Sequence, residues 1–221
     1  MPAGIAPAYR RTGVVGDTSP SVWGMESRRA IEWSEAAWLN PPEAVLAEGS
    51  NLLVTARKGS DFWRTTSYGF VHDDGHALLT DFPPESALEV GFVVAFDELY
   101  DQAGLLVRVD EETWVKAGIE FTDGVPHLGS VVTHGRSDWS LAPVADWAGR
   151  EVTIRVSRSG DALTMRARCE DEPWQLFRVA PLDPAATAAA GPFTCAPTRD
   201  GLTVRFTSFV VTTPDEALHL D

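Results

Sequence analysis

The stretch that decides the fold covers residues 101–121 and reads Asp-Gln-Ala-Gly-Leu-Leu-Val-Arg-Val-Asp-Glu-Glu-Thr-Trp-Val-Lys-Ala-Gly-Ile-Glu-Phe. Within residues 103–109 every odd-numbered residue is apolar, and the same holds within residues 115–121. This alternation predicts two half-buried β-strands, because successive side chains of a strand point to opposite faces. The acidic residues between the two runs predict a hairpin that turns near Glu112.

The even-numbered side chains of this hairpin are unusually polar and aromatic for an outward face. With the turn placed there, Arg108 is expected to pair with Lys116, and Glu120 is expected to lie opposite Gly104. Gly104 and Gly118 are expected to leave open space above the same face. Together these features predict a ligand groove with a floor of small residues and walls of tryptophan and charged side chains.

Short apolar or alternating runs recur along the rest of the chain, with Asp-Gly and Ser-Gly turn formers between them. The predicted strands are Leu52–Arg57, Phe62–Phe70, His76–Asp81, Ala87–Asp97, Ala103–Val109, Trp114–Phe121, Leu128–His134, Glu151–Ser157, Ala162–Cys169, Trp174–Ala180, Phe193–Ala196 and Leu202–Val211. Helix is predicted only at Asp215–Leu220 and Pro184–Ala190. The pattern is typical of an all-β sandwich.

The chain is expected to consist of a flexible N-terminal leader, residues 1–28, and a single β-sandwich domain, residues 29–221. The leader is rich in Gly, Pro, Ala and Ser, which do not favour packed structure. No stretch approaches the roughly 20 apolar residues of a membrane span, and the leader lacks the apolar core of a signal peptide. We therefore expect a cytoplasmic protein in which Cys169 and Cys195 are reduced, buried thiols.

The net charge and the absence of a metal-ligand motif argue against nucleic-acid binding, membrane binding and metal binding. The net charge is −14, with 32 acidic against 18 basic residues, which argues against nucleic acids and anionic membranes as partners. His72 and His76 flank Asp73-Asp74-Gly75, which we interpret as a tight turn rather than a metal site, because no third ligand is apparent. No cofactor and no metal are predicted.

Five motifs, taken in order, resemble a known family. They are Asp-Phe-Trp-Arg-x-Thr-x-Tyr-Gly-Phe at 61–70, Asp-Gln-Ala-Gly-Leu-x-Val-Arg at 101–108, Trp-Val-Lys-x-Gly-Ile-Glu at 114–120, Val-Val-Thr-x-x-x-Ser-Asp-Trp-Ser at 131–140 and Cys-x-Pro-x-x-x-Gly-Leu-x-Val-x-Phe at 195–206. The chain resembles, over about residues 31–212, the concanavalin A-like domain family that includes the yeast regulation-of-enolase proteins. The resemblance implies a two-sheet jelly-roll sandwich of the lectin and glucanase type with a concave face. It brings no reaction with it, and the catalytic Glu-x-Asp-x-x-Glu strand of the glucanases is absent.

The polar and aromatic residues of these motifs are the candidate site on the concave face. They are Asp61, Trp63, Arg64, Gln102, Arg108, Lys116, Glu120, His134, Asp138 and Trp139. Trp63 and Trp139 would stack on a ligand ring, while Glu120 and Asp138 would accept hydrogen bonds from its hydroxyl groups. Arg108 and Lys116 would bind anionic or hydroxyl groups. The function hypothesis is a protein that binds a small ligand or a glycan.

Other interpretations of the same residues remain open at this point. An enzyme acting on a carbohydrate or a small metabolite would use Glu120 and Asp138 as acid and base, with Lys116 as a further candidate catalytic residue. A regulatory protein would instead bind a protein partner, with the leader as a docking arm. In a purely structural role, the acids neutralise nearby arginines, Lys116 pairs with Glu120 and the tryptophans pack in the core.

Overall fold

The computed structural model describes residues 28–219, so nearly all of the predicted leader lies outside the described residues. The strands are β1 Arg28–Ala30, β2 Ala37–Leu39, β3 Ala44–Glu48, β4 Asn51–Thr55, β5 Phe62–Arg64, β6 Val71–Asp73, β7 His76–Phe82, β8 Ser86–Val93, β9 Gln102–Arg108, β10 Thr113–Thr122, β11 Val125–His134, β12 Arg136–Pro143, β13 Glu151–Ser159, β14 Ala162–Cys169, β15 Gln175–Pro181, β16 Ala188–Cys195 and β17 Thr203–Thr212. The helices within these bounds are two short 3₁₀ turns, Trp33–Glu35 and Ala145–Trp147.

The strands form two large antiparallel sheets. One has eight strands in the order β15-β14-β13-β8-β17-β4-β3, with β1 paired to β17, and the other has seven in the order β12-β11-β10-β9-β16-β7-β2. A small hairpin of β5 and β6 stands apart from both. The predicted all-β, two-sheet sandwich is confirmed.

The main core lies between the two sheets, because each contributes the apolar side chains of alternate positions. Val90 and Ile154 come from the eight-stranded sheet, and Leu105, Ala117 and Ile119 come from the seven-stranded sheet. Burial of each large aliphatic side chain contributes about 1.5–3 kcal/mol. The odd-numbered positions of the 101–121 hairpin therefore face inward, as predicted.

The opposite face of the seven-stranded sheet, here called its outer face, packs a second apolar cluster. Residues 57–75, here called the cap, lay Phe62 and Trp63 of β5 over this face. Their partners are Ala77, Leu106, Trp114, Val131, Phe193 and Cys195. Most of the predicted groove floor is thus covered by the chain itself.

The 101–121 hairpin differs from the prediction in register. Gly118 pairs with Gly104, Glu120 with Gln102 and Lys116 with Leu106, a shift of two residues from the predicted pairing. The turn closes between Val109 and Thr113, whose carbonyl accepts the backbone N–H of Val109. Arg108 therefore does not face Lys116, and no like charges oppose each other there.

The two glycines of this hairpin allow the backbones of β9 and β10 to approach closely, which the prediction did not include. A Cβ atom on Gly104 would collide with the carbonyl oxygen of Ala117, and one on Gly118 would collide with that of Ala103. Gly118 also lines a small pocket, so the predicted open space adjoins this glycine.

Other predicted elements end where the backbone turns. The strand predicted at Phe62–Phe70 stops at Arg64, because Thr65 and Ser67 have left-handed φ angles of 57° and 64°. The helix predicted at Pro184–Ala190 gives way to β16, and no helix forms between Asp215 and His219. Residues 136–143, not predicted as a strand, form the edge strand β12.

Both cysteines are free and buried, as predicted. Cys169 belongs to the main core and Cys195 to the cluster under the cap. Within residues 28–219, the structure contains no helix long and apolar enough to cross a membrane.

Candidate functional site

A buried ammonium group joins the cap to the seven-stranded sheet. Nζ of Lys116 on β10 donates hydrogen bonds to Oδ1 of Asp61 in the cap, at 2.8 Å, and to Oε1 of Gln102 on β9, at 2.7 Å. Burial by itself would lower the pKa of Lys116, but the Asp61 carboxylate outweighs it and raises the pKa above its ordinary value. The charged form of Lys116 is therefore favoured.

Glu120 lies four residues after Lys116 on the same face of β10, and it has no comparable hydrogen-bond partner for its Oε1 atom. Its Oε1 atom is buried and makes no hydrogen bond. Burial raises the pKa of Glu120 to about 7, against the opposing effect of the nearby Lys116 charge. The predicted pairing of Lys116 with Glu120 is present as an interaction of charges, while the hydrogen bonds of the ammonium group go to Asp61 and Gln102. Near neutral pH the carboxyl is about half protonated, so it can donate or accept a hydrogen bond.

A small pocket reaches this carboxyl from the surface. Its volume of about 20 Å³ is enough for a single water molecule or hydroxyl group, and too little for a sugar ring. Its walls include Lys116, Glu120, Gly129, Trp139, Leu141 and Phe193. A ligand can therefore place one polar group against Glu120, while the rest of it stays at the surface.

Aromatic side chains stand beside this pocket. Trp139 of β12 is 39% exposed and meets Trp63 edge-on at a centroid distance of 6.2 Å. Tyr68 of the cap contacts Trp63 edge-on at 5.5 Å and stacks on Phe70 at 5.4 Å. We call Trp63, Tyr68, Phe70 and Trp139 the aromatic rim. Trp63 is buried, whereas the other three offer flat, partly exposed apolar surface beside Glu120, an arrangement typical of ligand sites.

Tyr100 links the rim to Glu120. A hydrogen bond with Tyr68 raises the pKa of Tyr100, and burial and the negative charge of Glu120 act in the same direction. Tyr100 holds a left-handed φ of 65° in the loop before β9. The sequence analysis did not single out Tyr100, Gly129, Leu141 or Phe193 as site residues. Tyr68, in contrast, was part of the 61–70 motif.

Two predicted site residues, Arg64 and Arg108, do not line the pocket and instead hold the cap and the sheet together. Arg108 makes a bidentate ion pair with Asp73 of the cap, at 2.6 and 2.8 Å. Arg64 pairs with Glu112 and donates Nε to the carbonyl of Gly135. Gln102 lines the pocket, but its Oε1 atom is engaged by Lys116.

The structure does not bring Asp138 to Glu120. Asp138 pairs across β11 with Val132, which belongs to the main core, whereas Trp139 pairs with Val131 of the outer face. The Asp138 side chain is 68% exposed and bonds to Arg178 of β15 at 2.8 Å. The predicted acid and base thus belong to opposite faces of one sheet. His134 is exposed at the end of β11 and does not line the pocket.

The two histidines of the 72–76 turn have local partners. His72 bonds to Asp74 at 3.2 Å. His76 is buried, its Nε2 accepts the backbone N–H of Arg57, and its Nδ1 donates to the carbonyl of Asn40. Among the residues from 28 to 219, no group of three or more His, Cys, Asp or Glu is arranged to hold a metal ion.

Comparisons with known proteins agree with this architecture. The sequence profile of a family described as proteins of unknown function (DUF1349) matches residues 38–214. Regulation of enolase protein 1 of Saccharomyces cerevisiae is 37% identical over 196 residues, which is 88% of this chain and 98% of that protein. An uncharacterised protein of Emericella nidulans is 40% identical over 76 residues, 33% of this chain and 38% of that protein.

Solved structures give the same result. The crystal structure of a functionally unknown protein from Saccharomyces cerevisiae matches with a TM-score of 0.78 at 37% identity, over 84% of this chain and all of that one. A xylan β-1,4-xylosidase from Bacillus halodurans C-125 matches with a TM-score of 0.56 at 16% identity, over 75% of this chain and 35% of that one. A β-1,3-glucanase from Mycobacterium marinum matches with a TM-score of 0.50 at 12% identity, over 76% of each chain. The last two matches show a shared fold.

Proposed function

This chain belongs to the DUF1349 family, and we propose that it is a cytoplasmic protein that binds a small polyhydroxylated ligand, such as a sugar, at the pocket of Glu120. In this arrangement the ligand ring lies against Trp139 of the aromatic rim. One of its hydroxyl groups enters the pocket and bonds to Glu120. Lys116, Gln102 and Asp61 hold the pocket wall in place.

The observation that carries the proposal is the buried, unpaired Oε1 atom of Glu120, a residue that lines a small pocket. An unsatisfied buried acceptor costs about 1–3 kcal/mol, so such atoms in folded proteins call for a specific explanation. A ligand hydroxyl supplies the missing hydrogen bond. Because the pocket has room for only one such group, the ligand is held at its edge rather than enclosed.

The surroundings of the pocket favour a sugar over a charged metabolite. The charge of Lys116 in the pocket wall is balanced by Asp61, and two of its three donors are engaged by Asp61 and Gln102. The exposed part of Trp139 provides an apolar plane for the C–H face of a sugar ring. The xylosidase and the glucanase whose fold matches are named for carbohydrate substrates, which adds support to this ligand class.

A thermal-shift screen of purified protein against sugars, sugar alcohols and sugar phosphates tests the proposal. A ligand at 100 times its dissociation constant adds about 2.7 kcal/mol to the free energy of unfolding. We expect a neutral sugar or polyol to raise Tm, and the shift to be lost in both Glu120→Gln and Trp139→Ala. Glu48→Gln, an exposed acid on the edge strand β3, is the matched control and should keep the shift. A shift retained in both pocket variants would contradict the proposal.

A second candidate function is binding of a protein partner at the tip of the cap. Tyr68, Phe70 and Val71 are each about half exposed and adjoin one another there. The name of the yeast relative makes enolase a probe for direct binding to the purified chain. Loss of binding in the double variant Tyr68→Ser/Phe70→Ser, with the sugar response intact, would favour this function. Loss on deleting residues 1–28 alone would assign the docking to the leader.

A further inference from the structure

Two buried arginines face each other on the outer face of the eight-stranded sheet, far in the fold from the pocket of Glu120. Arg155 of β13 and Arg166 of β14 are directly opposite in register and are only 8% and 5% exposed. Like charges in this position repel unless an anion lies between them. The sheet itself supplies Glu89 of β8, which bonds to Arg155 at 2.8 Å.

The anion between the two arginines comes from the C-terminal segment. Oδ1 of Asp215 accepts from Nε of Arg155 at 2.8 Å, and Oδ2 accepts from Nε of Arg166 at 3.0 Å. The arginines also donate to the backbone carbonyls of Thr213, Ala217 and Leu218. One carboxylate thus bridges two guanidinium groups, a geometry that suits carboxylate and phosphate oxyanions alike.

An open pocket adjoins this bridge. Its volume of about 460 Å³ is within the range of small-molecule sites. Arg155, Arg166, Trp174, Pro214, Asp215 and His219 are among the residues that line it. Trp174 gives the pocket an aromatic wall, and the guanidinium of Arg168 is centred 4.5 Å from the centre of its ring. The pocket therefore combines a built oxyanion position with apolar surface.

We propose that this pocket binds a small molecule bearing a carboxylate or phosphate, whose oxyanion replaces Asp215 between Arg155 and Arg166. The body of the ligand then lies against Trp174. Asp215 acts as an internal competitor, so the apparent affinity equals the intrinsic affinity reduced by the fraction of molecules in which the segment is released. The site is separate from the pocket of Glu120 and does not depend on the function proposed there.

Chemical rescue of Asp215→Ala by inorganic phosphate tests this proposal. The variant leaves Arg166 without its acidic partner and Arg155 with Glu89 alone, so it is expected to unfold at lower temperature than the wild type. Phosphate should restore Tm in a saturable manner, at constant ionic strength, and should have a smaller effect on the wild type. Glu48→Ala, which breaks the exposed ion pair with Arg205, is the control and should show no saturable rescue.

The position of the ion is tested by Asp215→Ala/Arg166→Gln, in which rescue should disappear. If Asp215→Ala does not fold, Asp215→Asn replaces it, and phosphate binding is measured by calorimetry. We expect binding about tenfold or more tighter than to the wild type. Equal phosphate effects on wild type and Asp215 variants, or rescue that survives loss of Arg166, would overturn the proposal.

Discussion

The hydrogen bonds of Lys116 affect the pKa of the neighbouring residue Glu120. Lys116 has three donors, and the structure gives two of them to Asp61 and Gln102. Glu120 remains close enough to interact with the ammonium charge, but it is left without a hydrogen bond for Oε1. Burial then dominates and raises the pKa of the carboxyl to about 7.

This raised pKa makes stability depend on pH. Between about pH 4.5 and 7 the folded state holds a proton on Glu120 that the unfolded chain releases, so the wild type loses stability as pH rises through this range. Glu120→Gln removes the ionisation. We expect a gain in unfolding free energy over the wild type that is small at pH 5 and on the order of 2–3 kcal/mol at pH 8. Urea denaturation at both pH values measures it, and parallel pH profiles for the two proteins would refute this assignment.

Lys116 is the residue whose loss should cost the most at this site. Lys116→Met leaves the Asp61 carboxylate without its buried partner, and we expect a loss of about 3–5 kcal/mol in unfolding free energy. Lys116→Met/Asp61→Asn removes the uncompensated charge and should recover part of the loss. A double-mutant cycle from denaturation curves gives the coupling. Additive losses would show that the two groups do not interact as described.

At the scale of elements, the cap is attached to the seven-stranded sheet in two ways. Phe62 and Trp63 pack into the cluster on the outer face. Two ion pairs form the other attachment: Arg108 with Asp73, and Lys116 with Asp61. The small pocket at Glu120 lies on the same outer face of the sheet and defines the candidate site.

The close approach of β9 and β10 is a second property of the elements. Gly104→Ala places a methyl group against the backbone of β10, and we expect it to lower the unfolding free energy by about 2 kcal/mol or more. Gly135→Asn is the control, because Gly135 sits in an open left-handed turn that Asn tolerates. Similar small losses in both variants, by denaturation, would contradict the packing described for Gly104.

The sequence predicted most strands and the faces of the 101–121 hairpin, but not its register. The two-residue shift keeps every side chain on its predicted face, because strand side chains alternate with a period of two. The shift changes only which residues are paired across the two strands, and this pairing depends on the loop between Val109 and Thr113. Asp110 closes that loop by accepting the backbone N–H of Glu112, a local hydrogen bond that alternation does not reveal.

The candidate site could be predicted only in part for a related reason. The motifs correctly indicated Lys116, Glu120 and Trp139 on one face of the sheet, because they occupy positions of matching parity. They did not reveal the cap, since the burial of Phe62 and Trp63 depends on contacts with distant strands. Asp138 was assigned to the site with the other polar residues of the 131–140 motif, but adjacent residues of a strand face opposite ways, so Asp138 and Trp139 lie on different faces.

At the scale of the whole molecule, each outer face of the sandwich carries a chain segment held by basic side chains. The cap lies on the seven-stranded sheet over Lys116 and Arg108, and the C-terminal segment lies on the eight-stranded sheet over Arg155 and Arg166. In a chain with a net charge of −14, these cations meet acids from distant positions in sequence. The pocket at Arg155 and Arg166 is lined in part by the C-terminal segment, whereas the pocket at Glu120 is lined by strands of the seven-stranded sheet.

The two thiols report on the integrity of both apolar clusters. Cys169 lies in the main core and Cys195 under the cap, and burial raises the pKa of each thiol. Neither should react with a thiol reagent such as Ellman's reagent in the native protein, and both should react in denaturant. A reducing agent should leave Tm unchanged. Rapid labelling of Cys195 alone in native protein would show that the cap opens.

A carbon-13 NMR titration of the Glu120 side-chain carboxyl, assigned by comparison with Glu120→Gln, gives the decisive test. Glu120 lines the outer-face pocket, and its Oε1 atom is buried without a hydrogen bond. The account predicts a midpoint near pH 7. A midpoint near the ordinary glutamate value of about 4.3 would mean that the group is solvated or paired, and it would contradict the account.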